Sequence, residues 1–372
     1  MSALTATSLY ALNLDQIEAA IAIGGHKRTV LVQGHMGTGK SSLLRALGKR
    51  FPNHVMCYFD CTTKDLGDIT LPQLRTMDEE GCVRLVPNEE LGLHLGKDVI
   101  IMIDEYGKAN ASVKNALLRL MLERKMGANT LTEPSLVFAT TNLGAEGVGD
   151  LLPPHARNRI SVVTSRKPTN IEWLEGWAIH NNVDVTVMGW VKDTPALFQS
   201  FEEIEHPFDD SGNPTNPYIY HPAVPMTAFV TPRSLEAASD WIKVRDKLDA
   251  QTLTAMLMGT IGERAAMDLM AYVHIADQLP RLEDIKRDPM GAKVPDSAAA
   301  VCMVVWKVVQ SLERDWVDAW MTYLTRLDKE AQGLFANAVR SPKYPKQAMV
   351  MTNKKFTEYA LANNYQFTSR IK

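Results

Sequence analysis

Five short apolar runs recur along the first half of the chain, at residues 28–33, 55–60, 99–103, 135–139 and 160–164. Most are rich in Val, Ile or Leu, and all are bounded by polar or turn-forming residues, the pattern of strands in a buried sheet. Between them the spacing predicts helices over residues 40–50 and 111–124. Strands that alternate with helices predict an α/β fold, a parallel sheet joined by crossover helices. Residues 68–90 break the alternation. Ile69-Thr-Leu-Pro-Gln-Leu-Arg75 and Cys82-Val-Arg-Leu-Val86 read as two strand-like arms around Asp78-Glu79-Glu80-Gly81, which predicts a β-hairpin with an acidic tip.

Beyond residue 167 the period changes to that of helices. Trp173, Leu174, Trp177 and Ile179 form an apolar stripe within 168–182. Residues 205–232 are different. His206-Pro-Phe-Asp-Asp-Ser-Gly-Asn-Pro-Thr-Asn-Pro217, followed by Pro222, Pro225 and Pro232, predicts a long excursion without regular structure. Helical periodicity returns at 233–248, 252–277 and 297–325. The last carries Val301, Val304, Val305, Val308, Leu312, Trp316, Trp320 and Leu324 at spacings of three and four, which reads as core. Three regions follow: an α/β core over 1–167, a helical lid over 168–285, and a C-terminal helical extension with a basic tail over 286–372.

Composition narrows the function classes. A chain of 372 residues with 45% hydrophobic and 22% charged content is ordinary for a globular protein of two or three domains. No run of about eighteen apolar residues predicts a membrane span, and the N-terminus lacks a signal-peptide pattern, so the expected location is cytoplasmic. Cys57, Cys61, Cys82 and Cys302 lack zinc-site spacing and read as reduced thiols. A formal net charge of −3 gives no footprint for nucleic acid. Only the last thirty residues lean basic, through Lys343, Lys346, Lys354, Lys355, Arg370 and Lys372, as a solvated tail would.

Three polar clusters, each at the end of an apolar run, carry the chemistry. Gly34-His-Met-Gly37-Thr38-Gly39-Lys40-Ser41 matches G-x-x-x-x-G-K-[ST] in full. Its glycines let backbone N–H groups face phosphate oxygens, Lys40 reaches the β- and γ-phosphates, and the Ser41 hydroxyl ligates Mg2+. Ser42 starts a helix whose N-terminus faces the same phosphates. Val99-Ile-Ile-Met-Ile103 ends in Asp104-Glu105, where Asp104 would hold Mg2+ through its water shell and Glu105 would polarise the attacking water. Ser135-Leu-Val-Phe-Ala139 ends in Thr140-Thr141-Asn142, where Asn142 would hydrogen-bond that water and the γ-phosphate; Asn142 also suits a turn.

Together these pieces resemble the AAA+ ATPases and, within them, the MoxR family, over about residues 10–280. Asp65-Leu-Gly-Asp68 with Ile69-Thr-Leu-Pro72 is similar to the segment before that family's helix-2 insertion. Val83-Arg-Leu-Val-Pro87 with Leu91-Gly92 resembles the approach to the Asp-Glu strand. Asp104-Glu-Tyr-Gly-Lys-Ala109, Val113-Lys-Asn-Ala-Leu-Leu118 and Met121-Leu-Glu-Arg124 are similar to the family's D-E-I-N-R-A run and the helix after it. Tyr106 and Gly107 depart from it, and no Gly-Pro pair stands near Asn88. Leu151-Leu-Pro-Pro-His-Ala-Arg157-Asn-Arg159-Ile160 resembles the helix that carries an arginine finger. Arg159 is the better match, with Arg157 assisting. Thr231-Pro-Arg233-Ser-Leu235 resembles the sensor-2 motif that opens a lid helix.

The resemblance implies an AAA+ P-loop core with strand order 5-1-4-3-2, a helical lid, and ATP with Mg2+ at the site. It implies a homo-oligomer, a hexameric ring in which Arg159 enters the neighbouring subunit's ATP site while Arg233 serves its own. It also implies chaperone-like remodelling or activation of a protein partner, with a separate von Willebrand factor A-domain protein as one candidate. The predicted hairpin would then point toward the pore. A nucleic-acid motor is the alternative: the acidic tip Asp78-Glu79-Glu80 repels phosphate, whereas a basic loop at Arg124-Lys125-Met126 supports it. Glu105 argues against a non-hydrolysing scaffold, and Arg159 with Arg233 against a kinase or transferase.

Overall fold

The computed structural model describes residues 10–73, 84–143, 152, 154–224 and 227–363. The chain separates into two compact units, Met1–Lys167 and Pro168–Lys372.

The first unit opens with helix α1 (Leu14–Gly24), capped by Asn13 and Gln16, which exchange side-chain-to-backbone hydrogen bonds. It continues through β1 (Val30–Gly34), α2 (Ser42–Arg50), β2 (Val55–Asp60), β3 (Thr70–Gln73), β4 (Arg84–Pro87), β5 (Val99–Asp104) and α3 (Ala111–Glu123). A small hairpin of β6 (Lys125–Met126) and β7 (Asn129–Thr130) follows, then β8 (Leu136–Thr141), α4 (Pro154–Arg157) and β9 (Ser161–Ser165). Five strands form one parallel sheet in the order β2-β5-β8-β1-β9. Counted as the five predicted strands, this is 5-1-4-3-2 read from the opposite edge, as expected.

Alternation along the strands sorts side chains onto two faces. Leu31, Phe59, Ile101, Ile103 and Val137 pack with Val113, Leu117 and Met121 of α3. Val32, Ile100, Met102 and Phe138 pack with Ile17 and Ile21 of α1 and Leu43 and Leu47 of α2. The central strands β5 and β8 are buried along their whole length. Because β8 lies between β5 and β1, the segments leaving the carboxyl ends of these strands converge, the usual ligand side of a parallel sheet.

The predicted hairpin arms pair. β3 and β4 are antiparallel, with Thr70 opposite Pro87 and Gln73 opposite Arg84. The expected acidic tip Asp78-Glu79-Glu80 lies outside the described residues.

The second unit is helical: α5 (Asn170–Gly176), α6 (Val185–Asp193), α7 (Pro232–Lys243), α8 (Ala250–Ile261), α9 (Glu263–Ala276), α10 (Leu282–Arg287), α11 (Ala298–Ser311), α12 (Val317–Leu324), α13 (Lys329–Arg340), α14 (Gln347–Met351) and α15 (Lys354–Ala362). One core runs from Trp173 to Tyr359 and so takes in helices on both sides of residue 285. Two expected helices are each divided. The run 252–277 breaks at Gly262, whose φ of +92° suits only glycine and where a Cβ would stand 2.6 Å from the Ala228 carbonyl oxygen. The run 297–325 breaks after Ser311, and Lys346 Nζ satisfies the freed carbonyls of Gln310 and Leu312 at 3.4 and 2.8 Å. Lys355 likewise donates to the Asp318 carbonyl and the Thr322 hydroxyl. These two lysines therefore hold helices together rather than forming a solvated tail, and Arg370 and Lys372 lie outside the described residues.

The Pro/Asn-rich excursion is anchored at several points. Asn216 Nδ2 donates to the Ala196 carbonyl at 2.9 Å, Tyr218 OH donates to Asp268 Oδ2 at 2.6 Å, and buried His221 packs edge-on against Phe201 and Phe208.

Candidate nucleotide-binding and hydrolysis site

The loop after β1 has the backbone of a phosphate cradle. Gly37 and Gly39 take φ values of +71° and +95°. Among the described residues, the N–H groups of Gly37, Gly39 and Ser41 donate to no backbone carbonyl, which leaves a concave run of donors of the kind that binds anions. Gly34, at the loop's entrance, is fixed by close approach: a Cβ there would lie 3.0 Å from Ser165 Cβ. Thr38 is buried and donates its hydroxyl to the His35 carbonyl at 2.9 Å. Ser41 is half-buried just ahead of α2. Ser42 gives both its N–H and its hydroxyl to the Gly39 carbonyl, at 2.8 and 2.7 Å, and so closes the turn.

Lys40 is buried, and its ammonium donates to the carbonyls of Gly34 and His35, both at 2.7 Å, and to Asn142 Oδ1 at 3.0 Å. Asn142, also buried, donates Nδ2 to Glu105 Oε1 at 3.3 Å. Three segments far apart in sequence are thereby joined in one polar chain.

Asp104 ends β5 and is nearly buried. Its Oδ1 accepts from the Thr140 hydroxyl and from the Glu105 N–H at 3.0 Å, and its Oδ2 accepts from Tyr58 OH at 2.9 Å. A carboxylate offers about four lone-pair positions, so Oδ2 keeps one for a metal-bound water. Burial and the bond to Asp104 raise the Tyr58 phenol well above its ordinary range. Burial, and then the charges of Asp60 and Asp104, push the Cys61 thiol up to about 12, which disfavours a thiolate beside Asp104.

Glu105 adopts the left-handed conformation, φ 52° and ψ 35°, which is rare for a residue with a Cβ and is commonly stored at functional positions. Lys108 Nζ stands 3.2 Å from Glu105 Oε2, an ion pair without hydrogen-bond alignment, so that oxygen is buried without a hydrogen-bond partner. The Thr141 hydroxyl at the end of β8 is likewise buried and unpartnered. Among the described residues, no three His, Cys, Asp or Glu side chains group as a metal cage. This donor set fits magnesium, which takes one or two protein oxygens and completes its shell with water and substrate phosphates. Ser41 and Asp104 would hold it.

Arg157, the last residue of α4, and Arg159, between α4 and β9, are both exposed. Arg157 Nε donates to the Leu152 carbonyl at 3.2 Å, and Arg159 has no ion-pair partner among the described residues. Arg233 belongs to the second unit, exposed in the first turn of α7 behind the cap formed by Thr231 and Ser234. The basic loop expected at Arg124-Lys125-Met126 needs correction. Arg124 turns inward and donates to Thr29 Oγ1 at 3.0 Å and to the Gly25 carbonyl at 2.8 Å, and burial lowers its pKa to about 10. Sequence reasoning missed Tyr58, and it gave Thr140 no role. Their contacts to Asp104 come from strand register across the sheet, which no local spacing encodes.

Residues 29–163 match the AAA domain of the dynein-related subfamily. No curated protein matches the chain. Among solved structures, the chain is similar to a mutant of RuvB from Thermotoga maritima, at 14% identity over 72% of this chain and 75% of that one, with a TM-score of 0.38. It is also similar to NtrX from Brucella abortus in complex with ADP, at 13% identity over 95% of this chain and 68% of that one, with a TM-score of 0.38. The domain match, the phosphate loop and the sheet order together make the first unit an AAA+ P-loop domain.

Proposed function

We propose that this AAA+ domain makes the chain an ATPase that works as a homo-oligomeric ring and remodels or activates a protein partner. The observation that carries the reading is the hydrogen-bonded chain from Lys40 through Asn142 to Glu105. It ties the phosphate-binding lysine to the carboxylate placed to activate water, an arrangement a mere nucleotide-holding scaffold does not need. In this reading the loop N–H groups and Lys40 bind the β- and γ-phosphates, and Asn142 orients the lytic water toward the γ-phosphate. Glu105 accepts that water's proton as attack proceeds. Magnesium, when bound, neutralises charge developing between the β- and γ-phosphates. Arg233 touches the γ-phosphate from its own subunit, and Arg159, exposed and without an ion-pair partner among the described residues, enters a neighbour's site.

The resemblance to the MoxR family favours a hexamer and a chaperone-like role, with a separate von Willebrand factor A-domain protein as candidate partner. A cytoplasmic site of action is part of the same proposal; among the described residues no helix is long and apolar enough to cross a membrane. The nucleic-acid motor is the weaker reading, because Arg124, the first residue of its basic loop, is engaged inside the fold. Steady-state ATPase rates with and without duplex or single-stranded DNA, at about 0.15 M salt where the Debye length is about 8 Å, separate the two. The protein-remodelling reading expects no change with DNA. Strong stimulation that falls with salt would favour the motor.

A further inference from the structure

Glu105 is not free to act as it stands. The short 3₁₀ turn Tyr106–Lys108 begins directly after it, closed by the Lys108 N–H donating to the Glu105 carbonyl at 2.9 Å. The turn folds the chain back so that Lys108 returns beside Glu105. The turn is firmly seated: Tyr106 is fully buried, and its hydroxyl donates to the Lys114 carbonyl at 3.3 Å. The outcome is the 3.2 Å approach of Lys108 Nζ to Glu105 Oε2, while Asn142 holds Oε1. Lys108 itself keeps 42% of its side chain exposed, so it can leave this position without disturbing the core.

We propose that Lys108 is a positioning residue that restrains the Glu105 carboxylate and keeps basal turnover low. The inference rests on the ATPase reading above. A water molecule delivering its proton to Oε2 must displace the ammonium that already occupies that side of the carboxylate. The pair is partly exposed, and such pairs are weak. The restraint is therefore a light one, which an event at the exposed rim that draws Lys108 away would release.

Its removal should raise kcat up to about fivefold, the range a weak pair supports. The test uses the full chain with Lys108→Met, Lys108→Gln and Lys108→Arg, beside Glu105→Gln. Steady-state hydrolysis gives kcat and KM, and a fluorescent ATP analogue gives equilibrium affinity. The expected result is higher kcat in Lys108→Met and Lys108→Gln, analogue affinity within about twofold of wild type, and near wild-type kcat in Lys108→Arg. Unchanged or lower kcat in both neutral variants, with affinity intact, would overturn the proposal. A merely structural role would lower affinity and kcat together in all three, and would overturn it too. Absence of wild-type hydrolysis would sink the ATPase reading itself, and hydrolysis that persists in the Glu105→Gln control would remove Glu105 from the chemistry, so each failure is reported separately.

Discussion

Lys40 Nζ donates to Asn142 Oδ1 across 3.0 Å, although 102 residues of chain separate the two. In the proposed reaction an arriving γ-phosphate would compete for the same ammonium, loosen this bond and change what Asn142 offers Glu105 on its other side. One buried amide would then couple binding to catalysis.

Asn142→Ala should therefore separate the two functions. Analogue affinity should stay within severalfold of wild type, while kcat falls by about 10², the scale of losing one preorganised donor at a reacting centre. Equal losses in both would mean that Asn142 only braces the loop.

The ring is tested by subunit mixing. Arg159→Ala alone should lower kcat by about 10³–10⁵ if it acts as a finger in trans. Mixed with Lys40→Ala subunits, it should recover hydrolysis at interfaces that pair an intact finger with an intact loop. Mass photometry with ATP should show six subunits, and a persistent monomer would remove the ring.

Arg124 gives a stability prediction away from the chemistry. Its guanidinium holds Thr29 and the Gly25 carbonyl, and Thr29 in turn donates to the Met121 carbonyl, so the start of β1 and the end of α3 are tied together. Arg124→Ala should cost about 2–3 kcal/mol, the scale of losing charged hydrogen bonds with buried partners left behind. The thermal midpoint should fall, with analogue affinity unchanged at temperatures where the fold persists.

His180 supplies a pH dependence. Burial lowers its pKa below the ordinary histidine range, and the Lys343 charge adds to this, while the Glu175 backbone opposes it. The folded state thus prefers the neutral ring, and the unfolded chain binds the extra proton first. Stability from this residue is complete above about pH 6.5 and declines as pH falls below it. Thermal midpoints at pH 7.5 and 5.5 should differ less in His180→Gln than in wild type; an equal difference would remove His180 from the effect.

The parts legible in the sequence are those whose chemistry is local. The phosphate loop, Asp104-Glu105 and Asn142 each follow an apolar run, and strand order then brings them together. Elements set by distant contacts were not legible. Helix α6 (Val185–Asp193) is apolar nearly all round, so no stripe announces it. The break at Gly262 is hidden because Leu253, Leu257 and Ile261 before it and Ala265, Leu269 and Val273 after it keep helical spacing. Tyr58 reaches Asp104 only because β2 and β5 pair with Asp60 opposite Asp104.

The proposed reaction divides its work between two residues, Lys40 to bind the nucleotide and Glu105 to hydrolyse it. The most direct measurement is paired equilibrium binding and single-turnover hydrolysis of ATP by Lys40→Ala and Glu105→Gln. Lys40→Ala should lose binding, whereas Glu105→Gln should keep it and turn over at least about a hundredfold more slowly, the scale of losing a general base, as this division of roles requires. Normal turnover in Glu105→Gln, or equal loss of binding in both, would contradict it.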